Sequence, residues 1–393
     1  MKKVKFSLRM LAMSFAIVSI FILMSCGKAE IQSTLNSDGS KISGLKAGTS
    51  GQITLSGSTW TGKVDGAVVY TGTDMFAAAN TCIANMSSGT LTIANSGSSG
   101  ASGGAVKAIK LTNNITVDGG NHTITGNSGD DLIVPILADR KSNVAVKNLI
   151  IAGRVRYGIW FQGCNGMNVQ NCKVTAACLC PAFRFDNSTA SASNLTVGTV
   201  TASGSTADQS MGLETYGING LTISSVTATN MGACGICLNG CTGTQTVGTC
   251  TATSCDYGGG YAGFRCANTN GPVKVGTVTS NKCGRGFFSC TNSNGTTIST
   301  LNADGCSSHG ILMENCVNSQ VLSGHIHNCG GDAGIRFSQT TNHNLVKGLD
   351  ISGVAKGVNE TSPGDYNTVQ NCNVHGTGIT LTGSHSVSTG NTL

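Results

Sequence analysis

The stretch Cys283-Gly284-Arg285-Gly286-Phe287-Phe288 is answered one turn of chain later by Cys306-Ser307-Ser308-His309-Gly310-Ile311. The cysteines are 23 residues apart, and Gly286 and Gly310 are 24 apart. A small residue followed by a large apolar one recurs outward from here in both directions. It stands at Gly158-Ile159, Ala182-Phe183, Gly212-Leu213, Gly235-Ile236 and Gly263-Phe264, then at Gly334-Ile335, Gly357-Val358 and Gly378-Ile379. From Gly158 to Gly378 the steps are 24, 30, 23, 28, 23, 24, 24, 23 and 21 residues. Half a period away lie Val169, Val197, Ile223, Val247, Val275, Ile298, Val321, Val346 and Val369. Both sets alternate apolar with polar residues, which is strand periodicity. Short strands at this spacing, separated by Asn, Gly, Ser and Thr, predict a parallel β-solenoid of about ten to twelve coils. Leucine-rich repeats share the period but need a leucine–asparagine consensus that is absent here.

Composition narrows the class. The 393 residues include 55 glycines and 4 prolines, and 11% are charged. No Gly-X-Y period marks collagen, and a single long apolar run excludes a multi-pass membrane protein. The formal charge of +6 falls to +2 once Lys2, Lys3, Lys5 and Arg9 of the leader are set aside. That near-neutral body argues against nucleic acid as a partner.

The N-terminus reads as an address. Met1–Arg9 is basic, Leu11–Met24 is apolar, and Ser25-Cys26 follows. This order resembles a bacterial lipoprotein signal peptide, which implies cleavage before Cys26, lipidation of that cysteine and a lipid anchor at the cell envelope. Residues 1–25 are the expected leader, 26–55 a Ser/Gly/Thr-rich tether, and 56–393 the solenoid. Thr73-Asp74 is positioned to cap a short helix from Met75 to Met86 that would cover the open end.

The repeat resembles the right-handed parallel β-helix of the pectate-lyase-like superfamily over roughly residues 60–393. Gly212-Leu213-Glu214-Thr215-Tyr216-Gly217, Gly260-Tyr261-Ala262-Gly263-Phe264-Arg265 and Glu314-Asn315-Cys316 resemble segments of secreted microbial proteins of that kind. The superfamily holds lyases, hydrolases and non-enzymes, so the fold alone does not give the reaction.

Candidate site residues follow from strand alternation. If Phe161, Phe183, Leu213, Leu238, Phe264, Phe287 and Met313 point inward, their neighbours point outward. The first outward row is then Trp160, Arg184, Glu214, Cys237, Arg265, Phe288, Leu312 and Arg336. The second is Gln162, Asp186, Tyr216, Asn239, Ala267, Cys290, Glu314 and Ser338. Coils stack ~4.8 Å apart, so Arg184, Asp186, Glu214, Tyr216, Asn239 and Arg265 share one patch. It coincides with the two longest coils, whose extra residues 187–194, 203–210 and 256–261 can wall a groove. Trp160, Asn239, Tyr257, Tyr261 and Arg285 are the expected sugar contacts. The alternative is an exposed ladder in which Arg184, Glu214 and Arg265 neutralise one another, worth ~0–1 kcal/mol.

Two chemistries fit an acidic polysaccharide in that patch. In β-elimination, arginine clamps a uronate carboxylate and a base, Tyr216 or an arginine, removes the adjacent proton. The resemblance implies that Ca²⁺ often assists such lyases, although no Asp-rich calcium loop is evident, and no cofactor is required. In hydrolysis, Asp186 and Glu214 form an acid–base or acid–nucleophile pair. A non-catalytic surface solenoid for adhesion or carbohydrate display is the competing class, and a monomer is expected in every case. The polygalacturonase series is broken: Ser308-His309-Gly310 and Gly334-Ile335-Arg336 resemble fragments of it, while Gly129-Asp130-Asp131 lies too many coils away. The 18 cysteines read mostly as an inward thiol stack, with Cys178/Cys180 and Cys234/Cys237 as the pairs best placed for disulfides. His325-Ile326-His327 sets two imidazoles on one strand face, with no carboxylate evident beside them. Thr199/Thr201, Thr249/Thr251 and Thr277/Thr279 form an outward Thr-x-Thr array that resembles ice-binding solenoids but equally suits any exposed strand.

Overall fold

A computed structural model describes residues 48–393 except 128, 206, 257–259 and 362. Cys26, the leader and Tyr257 therefore lie outside the described residues. The chain winds into a parallel β-solenoid. One strand of each coil joins a twelve-stranded sheet running from Lys107–Lys110 to Ile379–Thr380. Within it Ile159 lies beside Phe183, which is followed by Leu213, Ile236, Phe264, Phe287, Ile311 and Ile335. The other 23 strands form a second continuous sheet. It carries Val169, Val197, Ile223, Val247, Val275 and Ile298 in one row.

The recurrent glycine has a steric cause. A Cβ on Gly212 would stand 2.5 Å from the carbonyl oxygen of Gly235, and one on Gly286 2.4 Å from that of Gly310. Successive coils approach backbone to backbone there, and a side chain would push them apart. The apolar residue that follows turns inward. Phe161, Phe183, Phe185, Phe264, Phe287 and Phe337 are fully buried between the sheets, each contributing ~1.5–3 kcal/mol of burial. Asparagines mark the turns: Asn143, Asn194 and Asn268 take positive φ, which asparagine tolerates better than most residues. Their side chains bond to asparagines of the coil before, as in Asn268 Nδ2 to Asn239 Oδ1 at 3.1 Å.

The end cap forms as the sequence predicts. The helix Met75–Ala84 has Asp74 at its N-cap, whose carboxylate accepts from the Phe76 N–H at 2.7 Å and the Ala77 N–H at 3.1 Å. It stops two residues short of Met86, because Asn85 turns its N–H back to Thr81 and Cys82 and Met86 opens the next strand. Met75, Phe76, Ala79, Cys82 and Ile83 seal the core. Asp74→Ala is expected to cost ~1 kcal/mol in chemical unfolding. Burial opposes the Asp74 charge, but Lys107 and the two amides outweigh it and hold its pKa below 3.8. The difference from wild type is thus fully present above about pH 4 and shrinks as pH falls through the depressed folded value.

Two expectations shift. The strand Gly48–Ser56 begins inside the segment 26–55 taken for a tether. It pairs antiparallel with Thr59–Val64 and buries Ile53 completely, so a Ser/Gly/Thr-rich stretch is part of the first coil. All 17 described cysteines are free thiols, including Cys178, Cys180, Cys234 and Cys237. Cys250, Cys255, Cys283, Cys306 and Cys329 are buried in the core, behaving as small hydrophobes. The threonine columns are in register, Thr199–Ser225–Thr249–Thr277 beside Thr201–Thr227–Thr251–Thr279.

Candidate functional site

The outward face of the twelve-stranded sheet carries the two rows in the expected register. Trp160, Arg184, Glu214, Cys237, Arg265, Phe288, Leu312 and Arg336 are neighbours in turn, and so are Gln162, Asp186, Tyr216 and Asn239. What they build divides into two parts.

The first part is a closed ionic network. Arg184 Nε donates to Asp186 Oδ2 at 2.9 Å, and Arg184 Nη1 pairs with Glu214 Oε2. Trp160 Nε1 donates to Asp186 Oδ2 at 2.8 Å, and the Ser188 amide to Oδ1 at 3.0 Å. Asn239 Nδ2 holds Glu214 Oε1 at 2.8 Å. Asp186 is 2% and Glu214 7% exposed, so the exposed ladder becomes a buried one. Burial opposes the Asp186 charge, but Arg184 and Ser188 hold its pKa below the usual carboxylate range. Every oxygen of the two carboxylates is already occupied, and Arg184 is spent on them. Asp186, its pKa lowered, lacks the raised value that a proton donor needs. Tyr216 remains open, 43% exposed, with its ring 5.8 Å from the Arg184 guanidinium.

Arg265 does not join that network. Between them Cys237 is fully buried with Met211, Ala233 and Cys234, and Tyr261 packs on this cluster. No groove opens at Cys237: among the described residues this apolar side chain packs with Met211, Ala233, Cys234 and Tyr261. Phe288 and Leu312 form a second such cluster with Ala262, Ala267 and Cys290.

The second part lies beyond these clusters. Arg285, His309, Leu312, Glu314, Arg336 and Thr361 are among the residues lining an open groove of about 640 Å³. Arg285 and His309 precede the paired glycines Gly286 and Gly310, so the coil repeat sets them side by side. The Phe288 ring lies between two guanidinium groups, 5.3 Å from that of Arg265 and 4.7 Å from that of Arg285. Among the described residues neither arginine forms a salt bridge. Arg265 Nη2 donates to Cys290 Sγ at 3.3 Å and Arg285 Nη1 to the Tyr261 carbonyl at 3.3 Å, while both Nε atoms are buried without a partner. Burial lowers the Arg285 pKa from its ordinary value and outweighs the opposing pull of the carboxylates Asp256 and Glu314.

His309 is oriented from both sides. Its Nε2 lies 2.8 Å from Asp332 Oδ1, and its Nδ1 2.7 Å from Ser308 Oγ. Despite partial burial, Asp332 is held well below the usual carboxylate range by Arg336, His309 and Asn359, so it accepts only. Nε2 then carries the proton, and Nδ1 presents its lone pair to the Ser308 hydroxyl. Burial also pulls the His309 pKa below 6.5, outweighing Asp332, and keeps the ring neutral at pH 7. Glu314 makes no hydrogen bond or salt bridge among the described residues, and it stands within electrostatic reach of Arg285. Of the groove residues, sequence reasoning singles out Arg285 as a site residue. It misses His309, Asp332 and Glu314, whose signal is the pair of fragments Ser308-His309-Gly310 and Gly334-Ile335-Arg336 set on adjacent coils.

No family model matches the chain, and no curated protein matches it in sequence. In structure it is similar to the A-modules of two Azotobacter vinelandii mannuronan C-5 epimerases, AlgE4 and AlgE6. Each match has a TM-score of 0.50 at 14% identity and covers 81% of this chain, with 96% and 95% of those modules. At that identity the likeness is one of fold.

Proposed function

We propose that the protein binds an acidic, uronate-containing polysaccharide along the twelve-stranded sheet and cleaves it by β-elimination at the Arg285–His309 groove. The observation that carries this reading is the Arg265 guanidinium, buried against Phe288 with no salt bridge among the described residues, beside Arg285, which also forms none there although Asp256 and Glu314 stand within electrostatic reach. A cation without a partner in a chain so poor in charge is matched by an anionic ligand, and a planar guanidinium suits a carboxylate. The same fold serves the C-5 epimerisation of mannuronan in the Azotobacter modules, a reaction on an acidic polysaccharide.

The step is as follows. Arginine neutralises the uronate carboxylate and so favours loss of the C5 proton. His309, neutral and oriented by Asp332, accepts that proton at Nδ1 once Ser308 gives way. The electron pair left at C5 forms the C4=C5 double bond, and the C4–O bond breaks, its oxygen leaving with the neighbouring sugar after protonation. Hydrolysis by Asp186 and Glu214 has less support, because Arg184 ties both. We also infer from the sequence that lipid on Cys26 holds the protein at the cell envelope.

The test is a panel of acidic and neutral polysaccharides incubated with the protein, with and without Ca²⁺. Ultraviolet absorbance of an unsaturated uronate is the expected result. Deuterium entering C5 from heavy water without new absorbance would keep the proton abstraction and replace elimination by epimerisation. Reducing ends without absorbance would mean hydrolysis. No change on any acidic polymer would leave a binding or adhesion solenoid.

A further inference from the structure

His325-Ile326-His327 lies on the second sheet, away from the groove, and the coil repeat gives it the carboxylates that its own strand lacks. Asp304 is the parallel partner of His327 in the coil before, and Asp350 that of His325 in the coil after. Asp304 Oδ2 lies 3.0 Å from His325 Nε2, and Asp304 Oδ1 lies 3.6 Å from His327 Nδ1. The two imidazoles are stacked with centroids 4.5 Å apart, and one donor atom from each of the three residues lies within 4.8 Å of the others. On the far side, His327 Nε2 meets Asp350 Oδ2 at 3.0 Å. Asp350 is itself fixed through Oδ1 by His375 Nε2 at 2.7 Å and by Asn373 Nδ2 at 3.1 Å.

The hydrogen count at His327 is the decisive feature. A neutral imidazole that donates Nε2–H to Asp350 has only a lone pair at Nδ1. That lone pair faces an oxygen of Asp304. A metal ion between these two acceptors would satisfy both. The spacing is near that of a metal site, with one Asp304 oxygen facing each ring. Tetrahedral coordination with bonds of 2.0–2.2 Å sets neighbouring donors about 3.3–3.5 Å apart, and the observed 3.0 and 3.6 Å fall on either side of that span. Asp350 holding the distal N–H of a ligating histidine is the outer-shell arrangement that metal sites use to fix the tautomer. Two imidazoles and one carboxylate suit zinc and its neighbours, whereas calcium takes oxygen donors.

We propose that Asp304, His325 and His327 bind a divalent transition metal ion, zinc by preference, with Asp350 as the positioning residue. The ion would join two consecutive coils and leave a coordination position open to solvent. The site is independent of the polysaccharide groove, which lies on the other sheet.

The test uses the full chain, stripped with a chelator, and zinc chloride as the probe. Calorimetry should show uptake of one Zn²⁺ per chain. His325→Ala and His327→Ala should each abolish it, and Asp350→Asn should weaken it 10–100-fold. Because the thiols also attract zinc, the histidine variants decide between the two donor sets. No stoichiometric uptake by the wild type would overturn the proposal. Uptake unchanged in both histidine variants would overturn it as well, by placing the metal on cysteine. To guard against a variant that merely misfolds, the melting temperature is followed with and without Zn²⁺. It should rise with the metal in the wild type and stay unmoved in His327→Ala, whose metal-free melt should match that of the metal-free wild type.

Discussion

Replacement of Arg184 by alanine is expected to lower stability by ~3–5 kcal/mol, the usual loss when one partner of a buried ion pair is removed. Two carboxylates, 2% and 7% exposed, would be left on neighbouring strands without the cation that both contact. Trp160, Ser188 and Asn239 would still donate to them, but these neutral groups do not cancel two like charges. Arg184→Lys should recover only part of the loss, because a single ammonium point cannot reproduce a fork that holds Asp186 through Nε and Glu214 through Nη1. Urea unfolding at pH 7 is the measurement. The folded pKa of Asp186 is depressed, so its contribution is present at neutral pH and lost as pH falls through that value, and the gap between wild type and Arg184→Ala should narrow in acid. A loss under ~1 kcal/mol would mean that the network behaves as a solvated surface ladder after all.

The coil repeat was legible because a small residue followed by an inward apolar one recurs from turn to turn. At Gly212, Gly235 and Gly286 a carbonyl of the next coil lies within 2.5 Å of the missing Cβ, and an inward Leu, Ile or Phe follows. Both outward rows follow from that register with no further information. The same logic fails for what lies on the rows. Cys237, Phe288 and Leu312 are outward yet buried, because they pack sideways against Met211, Ala233, Cys234, Ala262, Ala267 and Cys290, and strand alternation does not report such packing. Arg184 and Arg265 look equivalent in sequence, two guanidinium groups in one row. Only the positions of Asp186, Glu214 and Cys237 make the first a structural tie and the second an uncompensated charge. The carboxylates beside His325 and His327 were missed for a related reason. Asp304 and Asp350 are contacts between coils, and a search for ligands near in sequence passes over them. Gly48–Ser56 was hidden by composition, since this strand, paired on both sides by backbone bonds, turns one large apolar side chain, Ile53, inward and carries Ser, Thr and Gly at most other positions.

Arg285→Ala should reduce kcat on a polyuronate about 10²–10³-fold, the effect of removing one preorganised donor from a developing negative charge. Its stability should change little, because the burial of the guanidinium and its unpartnered Nε offset its attraction to Asp256 and Glu314. This opposes the expectation for Arg184, and measuring both variants by unfolding and by turnover separates a structural arginine from a substrate-binding one. The pH dependence identifies the base. A base acts in its neutral form, so the rate should fall in acid with a midpoint below 6.5, where burial places His309. Asp332 works against burial by stabilising the charged ring, hence Asp332→Asn should move that midpoint further down, with a KM little changed. If the acid limb sits at or above 6.5, or ignores Asp332→Asn, His309 is not the proton acceptor. Glu314, the groove carboxylate with no partner, would then be the group to substitute. A full rate in Arg285→Ala would remove the charge argument itself and leave the groove without its ligand.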